Sequence, residues 1–241
     1  MARILVLLPQ AGFDPTEVAV PWRVWDRAGH EVLFATETGE PAKADVITLS
    51  GEGLPWYARS LAARHEGRRT YAIAREAPSF RAPLRWDAVN VAEFDALHFP
   101  GGHAPGMRGF LESPVVADIA RAAFAAQMPV SAICHGVLAL ARAGVLEGRR
   151  TTALTSRMEG ISVALTRWAL PGHYRTYPQS VEREVRRALG RKGQFLRGPL
   201  LPKYANRDRP EAGFVVQDGN YVSARWPGDA WTLALRLMDL L

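Results

Sequence analysis

The stretch MPVSAICHGVLAL (Met128–Leu140) decides how this chain is read. It holds the only cysteine, Cys134, between an apolar run ending at Ile133 and a helix-forming run starting at Gly136. A lone cysteine is most simply a small hydrophobe in a core. A core cysteine, however, sits naturally in mid-element, and Cys134 stands where a strand stops and a helix starts. The residues two positions either side, Ala132 and Gly136, are small. A nucleophile elbow needs this, because the chain turns too sharply for larger side chains there. Ala132 replaces the glycine usual at the first of these positions. A sulfur at a helix N-terminus feels the positive end of the macrodipole, which predicts a thiolate.

On either side of this stretch the chain alternates strands and helices. RILVLL (Arg3–Leu8) is continuously apolar, as in a parallel strand covered on both faces. A helix follows over DPTEVAVPWRVWDRAG, with Asp14 as cap, Pro15 at the first position, Glu17 in the first turn and Gly29 as stop. Pro21 inside it predicts a kink near Glu17. HEVLFAT (His30–Thr36) is the next strand, so the opening is a right-handed strand–helix–strand unit of an open α/β sheet. Residues 39–90 break the pattern and read as an inserted cap with one helix, PWYARSLAARHEG. The alternation resumes with the strand in FDALHFPGGHAPG, which ends in a Gly-rich turn. Then come a helix capped by Ser113, the strand PVSAI, the elbow, and a strand over TTALTS (Thr151–Ser156). After a variable region over 158–210, two strands joined at QDGN precede a closing helix from Asp229. The expectation is one domain over 1–241: a three-layer α/β sandwich around a mostly parallel sheet.

Composition bounds the function. The 241 residues are 48% hydrophobic and 22% charged, ordinary for a globular protein. No apolar run is long enough for a membrane span, and the N-terminus reads as a first strand rather than a signal peptide. A single cysteine excludes an internal disulfide and suits a reducing cytoplasm. The net charge of +6 invites a nucleic-acid reading. Yet only Lys43, Lys192 and Lys203 are lysines, so 27 of the 30 basic residues are arginines, and these are scattered. The densest run, SVEREVRRALGRKGQ (Ser180–Gln194), reads as a solvated helix face. Neither a nucleic-acid nor a membrane partner is expected, and no cofactor or metal site is read.

Three further groups gather around Cys134. The glycines Gly101 and Gly102 of the PGGH turn let backbone N–H groups approach a ligand, and with the N–H of His135 they could form an oxyanion hole. Glu17 belongs to the same carboxyl edge of the sheet, where α/β proteins bind ligands. It is either a proton carrier beside the sulfur or a first-turn acid complementing the helix dipole. Adjacent helical residues do not face each other, so His135 serves Cys134 only if the elbow bends it round. Glu159, or a carboxylate from another subunit, is the candidate for orienting it.

These residues resemble the ThiJ/PfpI (DJ-1/PfpI) superfamily, of the class I glutamine amidotransferase-like, flavodoxin-like fold. The resemblance rests on the first strand and helix with Glu17 and Pro21, FPGGH at 99–103, AICHG at 132–136 and DGNYVSARWPGDA at 218–230. The insertion and the GGH turn look most like the heat-shock chaperone and glyoxalase III branch. The resemblance implies a reactive Cys134, a Glu17 that contacts it, a catalytic His135 and a homodimer. It also implies a small carbonyl substrate: thiolate addition to an aldehyde such as methylglyoxal, with Glu17 moving the proton, or related deglycase chemistry. A cysteine peptidase, or a stress holdase and redox sensor whose thiol oxidises, are the alternatives. Glutaminase chemistry is rejected, because His173 lacks the Glu two residues on that such enzymes use. ARWPGDA departs from the family's N-P-x-S ending, which makes Arg225 and Trp226 candidates for reshaping the pocket.

Overall fold

The structure is a computed structural model describing residues 1–241. Along the chain, β1 (Arg3–Leu7) and a short β2 (Ala11–Phe13) lead into α1 (Pro15–Arg27) and β3 (Glu31–Thr36). Next come β4 (Lys43–Ala44), α2 (Val46–Ser50), a 3-10 turn at Trp56–Leu61, α3 (His65–Ala74), α4 (Pro78–Arg81) and β5 (Leu84–Arg85). The middle of the chain supplies β6 (Ala96–Phe99), α5 (Arg108–Leu111), α6 (Pro114–Ala125), β7 (Val130–Ile133) and α7 (Gly136–Arg142). The last third holds β8 (Arg150–Thr151), α8 (Ser156–Thr166), α9 (Val181–Ala188), β9 (Gln194–Phe195), β10 (Val215–Asp218), β11 (Tyr221–Ala224) and α10 (Ala230–Met238).

Seven strands form the main sheet in the order β10-β11-β7-β6-β1-β3-β5. All pair in parallel except β10, which runs antiparallel to β11. Helices flank the sheet: α1 packs with α3 and α10, and α7 packs with α5, α6 and α9. Central strands covered on both faces are largely apolar, and Ile4, Leu5, Val6, Leu7, Ala132 and Ile133 are wholly buried. The caps form as the sequence predicts. Asp14 Oδ1 accepts from Thr16 N and Glu17 N, and Ser113 Oγ accepts from Val116 N. No helix is long and apolar enough to cross a membrane.

Four expectations need correction. Of TTALTS only Thr151 is in a strand, at the end of two-residue β8. Antiparallel β10 already covers the far edge of β11, and Thr152 N donates instead to Ser223 Oγ at 2.9 Å. The helix expected over 55–67 breaks between Leu61 and His65, where Ala62 and Arg64 are extended and Ala63 N donates to Thr48 O. Residues 39–90 are not all cap: α3 lies against α1, and β5 is the edge strand of the main sheet. In α9, Glu182 is buried rather than solvated, because its carboxylate accepts from Ser156 N, Arg186 and Arg197.

The parallel strands β7, β6 and β1 are adjacent, so their carboxyl ends lie side by side. From those ends the chain delivers, in turn, Cys134, the Pro100–Gly102 turn and the approach to Glu17. That juxtaposition is the site.

Candidate active site

Cys134 is held at φ +58°, a left-handed conformation that non-glycine residues seldom adopt. Such strain persists where the surroundings over-determine it. Here Cys134 N continues the β7–β11 ladder by donating to Ala224 O at 3.0 Å, and α7 starts two residues on. A Cβ on Gly136 would strike the carbonyl oxygens of Phe99 and Pro100. That contact is why the elbow tolerates nothing larger at this position.

Glu17 is wholly buried, and its Oε2 accepts from Gly101 N at 2.8 Å. A Cβ on Gly101 would sit 2.8 Å from that oxygen and 2.7 Å from His135 N, so only glycine lets the three segments meet. The Cys134 thiol is near enough to act on the Glu17 carboxyl, whose Oε1 is buried without a partner. α1 runs on through Pro21, whose missing N–H leaves the Glu17 carbonyl without its helical donor. His98 takes that place: its Nε2 donates to Glu17 O at 3.0 Å, and its Nδ1 meets Ser131 Oγ at 2.9 Å. The carbonyl can only accept, so the proton on His98 is fixed at Nε2.

The elbow does bend His135 round, and its Nδ1 lies 3.5 Å from Cys134 Sγ. Glu159 does not orient it: that carboxylate accepts from Val181 N at 3.0 Å, at the start of α9. The partner is Thr176. Its hydroxyl donates to His103 O at 2.7 Å and lies 3.3 Å from His135 Nε2. A hydroxyl has one proton. Since that proton goes to a carbonyl, Oγ1 accepts from His135 Nε2–H, and the Nδ1 lone pair faces the sulfur.

Residues 8–199 match the family described as ThiJ/PfpI family-like. The chain belongs to the ThiJ/PfpI family. Among curated relatives, Deglycase PH1704 of Pyrococcus horikoshii is 41% identical over 230 residues, covering 95% of this chain and 93% of its own. Deglycase PfpI of Pyrococcus furiosus is 28% identical over 238 residues, 98% of each chain. The solved structure of glyoxalase III from Candida albicans superposes with a TM-score of 0.69 at 16% identity, over 100% of this chain and 97% of that one. At that identity the likeness concerns the fold.

In this ThiJ/PfpI chain, burial sets the protonation states. It holds the Glu17 carboxyl well above its ordinary range, with the nearby Asp14 charge adding to the effect. Burial also pushes the Cys134 thiol well up, and Glu17 reinforces this. Burial therefore favours the protonated form of both groups and opposes the thiolate that the sequence suggests. The magnitudes explain the reversal. A helix N-terminus offers up to about 2 kcal/mol, whereas desolvating an ion costs several kcal/mol. Burial likewise keeps His135 well below its usual pKa and His103 at about 4, so both rings are neutral.

Two further expectations change. Gly101 N–H is committed to Glu17, so it is no oxyanion donor; the N–H groups of Gly102 and His135 make no backbone–backbone hydrogen bond. Arg225 turns inward. Its guanidinium pairs with buried Asp229 at 2.9 Å and donates to Pro199 O, tying down the loop after β11 rather than entering the site.

Above the elbow, His103 lies edge-on to His135, with ring centroids 4.9 Å apart, and Tyr174 packs on His103 at 5.0 Å. His173 Nε2 meets Asp45 Oδ2 at 3.0 Å, which joins the 170–177 segment to the start of α2. Cys134 is 1% exposed beneath this cover. A surface cavity of about 680 Å³ between Trp86–Ala92 and α6 shares no residue with the site. Thr176, Tyr174 and Asp45 carried no signal in the sequence. His103 did, as the end of the PGGH turn.

Proposed function

We propose that this protein is a cysteine-dependent enzyme acting on small reactive aldehydes, with glyoxalase III-like lyase chemistry. The observation that carries the reading is the position of Cys134. Its sulfur lies 3.5 Å from Nδ1 of His135 and close to the buried carboxyl of Glu17, at 1% exposure. A site so enclosed suits a small carbonyl compound and disfavours a polypeptide. Relatives named deglycase and a neighbour named glyoxalase III agree with carbonyl chemistry.

For a 2-oxoaldehyde the steps balance as follows. The thiol proton passes to His135 Nδ1 while sulfur adds to the aldehyde carbon, and Glu17 protonates the oxygen that gains the π pair. Glu17, now a carboxylate, removes the hydrogen of that carbon, and the neighbouring ketone oxygen takes the proton from His135. Glu17 then protonates the second carbon and recovers the hemithioacetal O–H proton, leaving a thioester. One carbon is oxidised, its neighbour is reduced, and no external oxidant enters. Water cleaves the thioester, releasing the 2-hydroxy acid and the thiol. The N–H groups of Gly102 and His135 are placed to receive the developing oxyanion.

The test is lactate formation from methylglyoxal by the wild type, Cys134→Ser and Glu17→Ala. Turnover by the wild type that is lost in both variants is the expected result. No turnover by the wild type overturns the reading.

A further inference from the structure

The resting site gathers three metal-binding side chains. One ligand atom from each of His103, Cys134 and His135 lies within 4.8 Å of the others. One edge of a coordination polyhedron is already built. Zinc bonds of about 2.3 Å to sulfur and about 2.0–2.1 Å to nitrogen put a tetrahedral S···N edge at about 3.6 Å. Cys134 Sγ and His135 Nδ1 are 3.5 Å apart. The 4.8 Å spread must contract by up to about 1.5 Å to reach tetrahedral edges, and His103 Nε2 is buried with no hydrogen-bond partner.

An outer hydrogen-bond partner for the ligands is in place too. Metal-bound histidines generally use their other ring nitrogen to hold an outer partner that fixes the tautomer. Thr176 does this for His135 and, through the same hydroxyl, holds the backbone of His103. One threonine therefore ties the His135 ring to the backbone of His103. The three residues supply soft sulfur and borderline nitrogen with no carboxylate, a set suited to Zn²⁺ rather than Mg²⁺ or Ca²⁺.

We propose that His103, Cys134 and His135 form a site for a thiophilic divalent cation of the Zn²⁺ type, whose occupancy shuts off the nucleophile. On binding, the S–H bond breaks, a metal–sulfur bond forms and one proton leaves to solvent. The sulfur pair that would attack a carbonyl is then held by the metal, and chelation restores it. The inference rests on ligand geometry and does not depend on aldehydes being the substrate.

The experiment titrates Co²⁺ into the reduced, chelator-treated full chain and follows its absorption. A thiolate-to-cobalt charge-transfer band saturating at one equivalent, and displaced by Zn²⁺, is expected. Cys134→Ser removes the band, and His103→Ala weakens binding by more than about tenfold. His103→Gln, which keeps more of the side chain's bulk, does the same. As a second readout, Zn²⁺ protects Cys134 from alkylation by iodoacetamide in the wild type and not in the His103 variants. Cys134 is the only cysteine, so the label reports on that position alone. Absence of the charge-transfer band, or unchanged affinity in both His103 variants, overturns the proposal. Neither readout uses a substrate, so failure here and failure of the catalytic reading are separable.

Discussion

The floor of the site and its cover are built differently. The floor is the carboxyl edge of β7, β6 and β1, rooted in one cluster of 56 buried hydrophobic residues. The cover draws on the stretch around α2 and Trp56–Leu61, and on α8 with the 170–177 segment. Its own cluster has just three buried residues, Leu54, Ala58 and Tyr174. On that side Trp56 and Trp168 are each 82% exposed, and a polar pair, Asp45 with His173, joins the two segments. Free energies of local opening follow buried apolar contact. The floor keeps Cys134, Glu17 and Gly101 in register, and the cover, with less buried apolar contact, is expected to open first.

The largest effect tests the floor directly. Cys134→Ser should reduce turnover by on the order of 10⁴-fold or more, with the far-ultraviolet circular dichroism spectrum unchanged. Glu17→Gln should cost about 10²–10⁴ in kcat without lowering the melting temperature, because a buried neutral acid is replaced by a neutral amide. A Glu17→Gln enzyme of wild-type rate would show that the floor contains no proton carrier.

Asp14 gives a pH test of the same region. Burial raises its carboxyl from 3.8 to about 6. The folded state thus binds the proton more tightly than the unfolded state. Its contribution is fully present below about pH 4 and is lost as pH rises through about 6. The shift allows at most on the order of 3 kcal/mol. Asp14→Asn keeps a good N-cap and should flatten this slope in melting curves between pH 4 and 7. An unaltered slope would mean that Asp14 is ionised at no cost.

The cover is tested by Leu54→Ala, which should remove about 2 kcal/mol of local stability. Hydrogen–deuterium exchange should then rise over 45–62 and 158–176 while β1, β6 and β7 keep their protection. An equal rise in the central strands would break the comparison, since floor and cover would then open as one unit. The smallest effect probes the joint between them. Thr176→Val should lower kcat by about tenfold with little change in KM, because His135 loses the acceptor that fixes its tautomer. Thr176→Ser should restore the rate, which a purely steric role for the threonine would not predict.

Much of the floor is legible in the sequence because it is specified locally. Cys134 is marked by its small flanks and by the switch from strand to helix, and Gly136 is required by carbonyls that its own fold brings near. Glu17 follows from the cap at Asp14 and the position of the first helix. The cover is far less legible. Its short elements lack a sustained period, and the helix read through Ala62–Arg64 is broken by a contact to Thr48 that no local rule predicts.

By itself, then, the sequence determined the α/β alternation, the parallel sheet, the elbow and the acid beside it. These follow from periodicity, capping and the steric demand for small residues, all properties of short stretches. Only the tertiary structure decided that Thr176, 41 residues beyond His135, orients it while Glu159 does not. It also decided that His103 joins the cysteine and that burial favours the thiol form of Cys134. Those outcomes depend on which distant groups exclude water from the site, and desolvation belongs to the packed chain rather than to any segment of it.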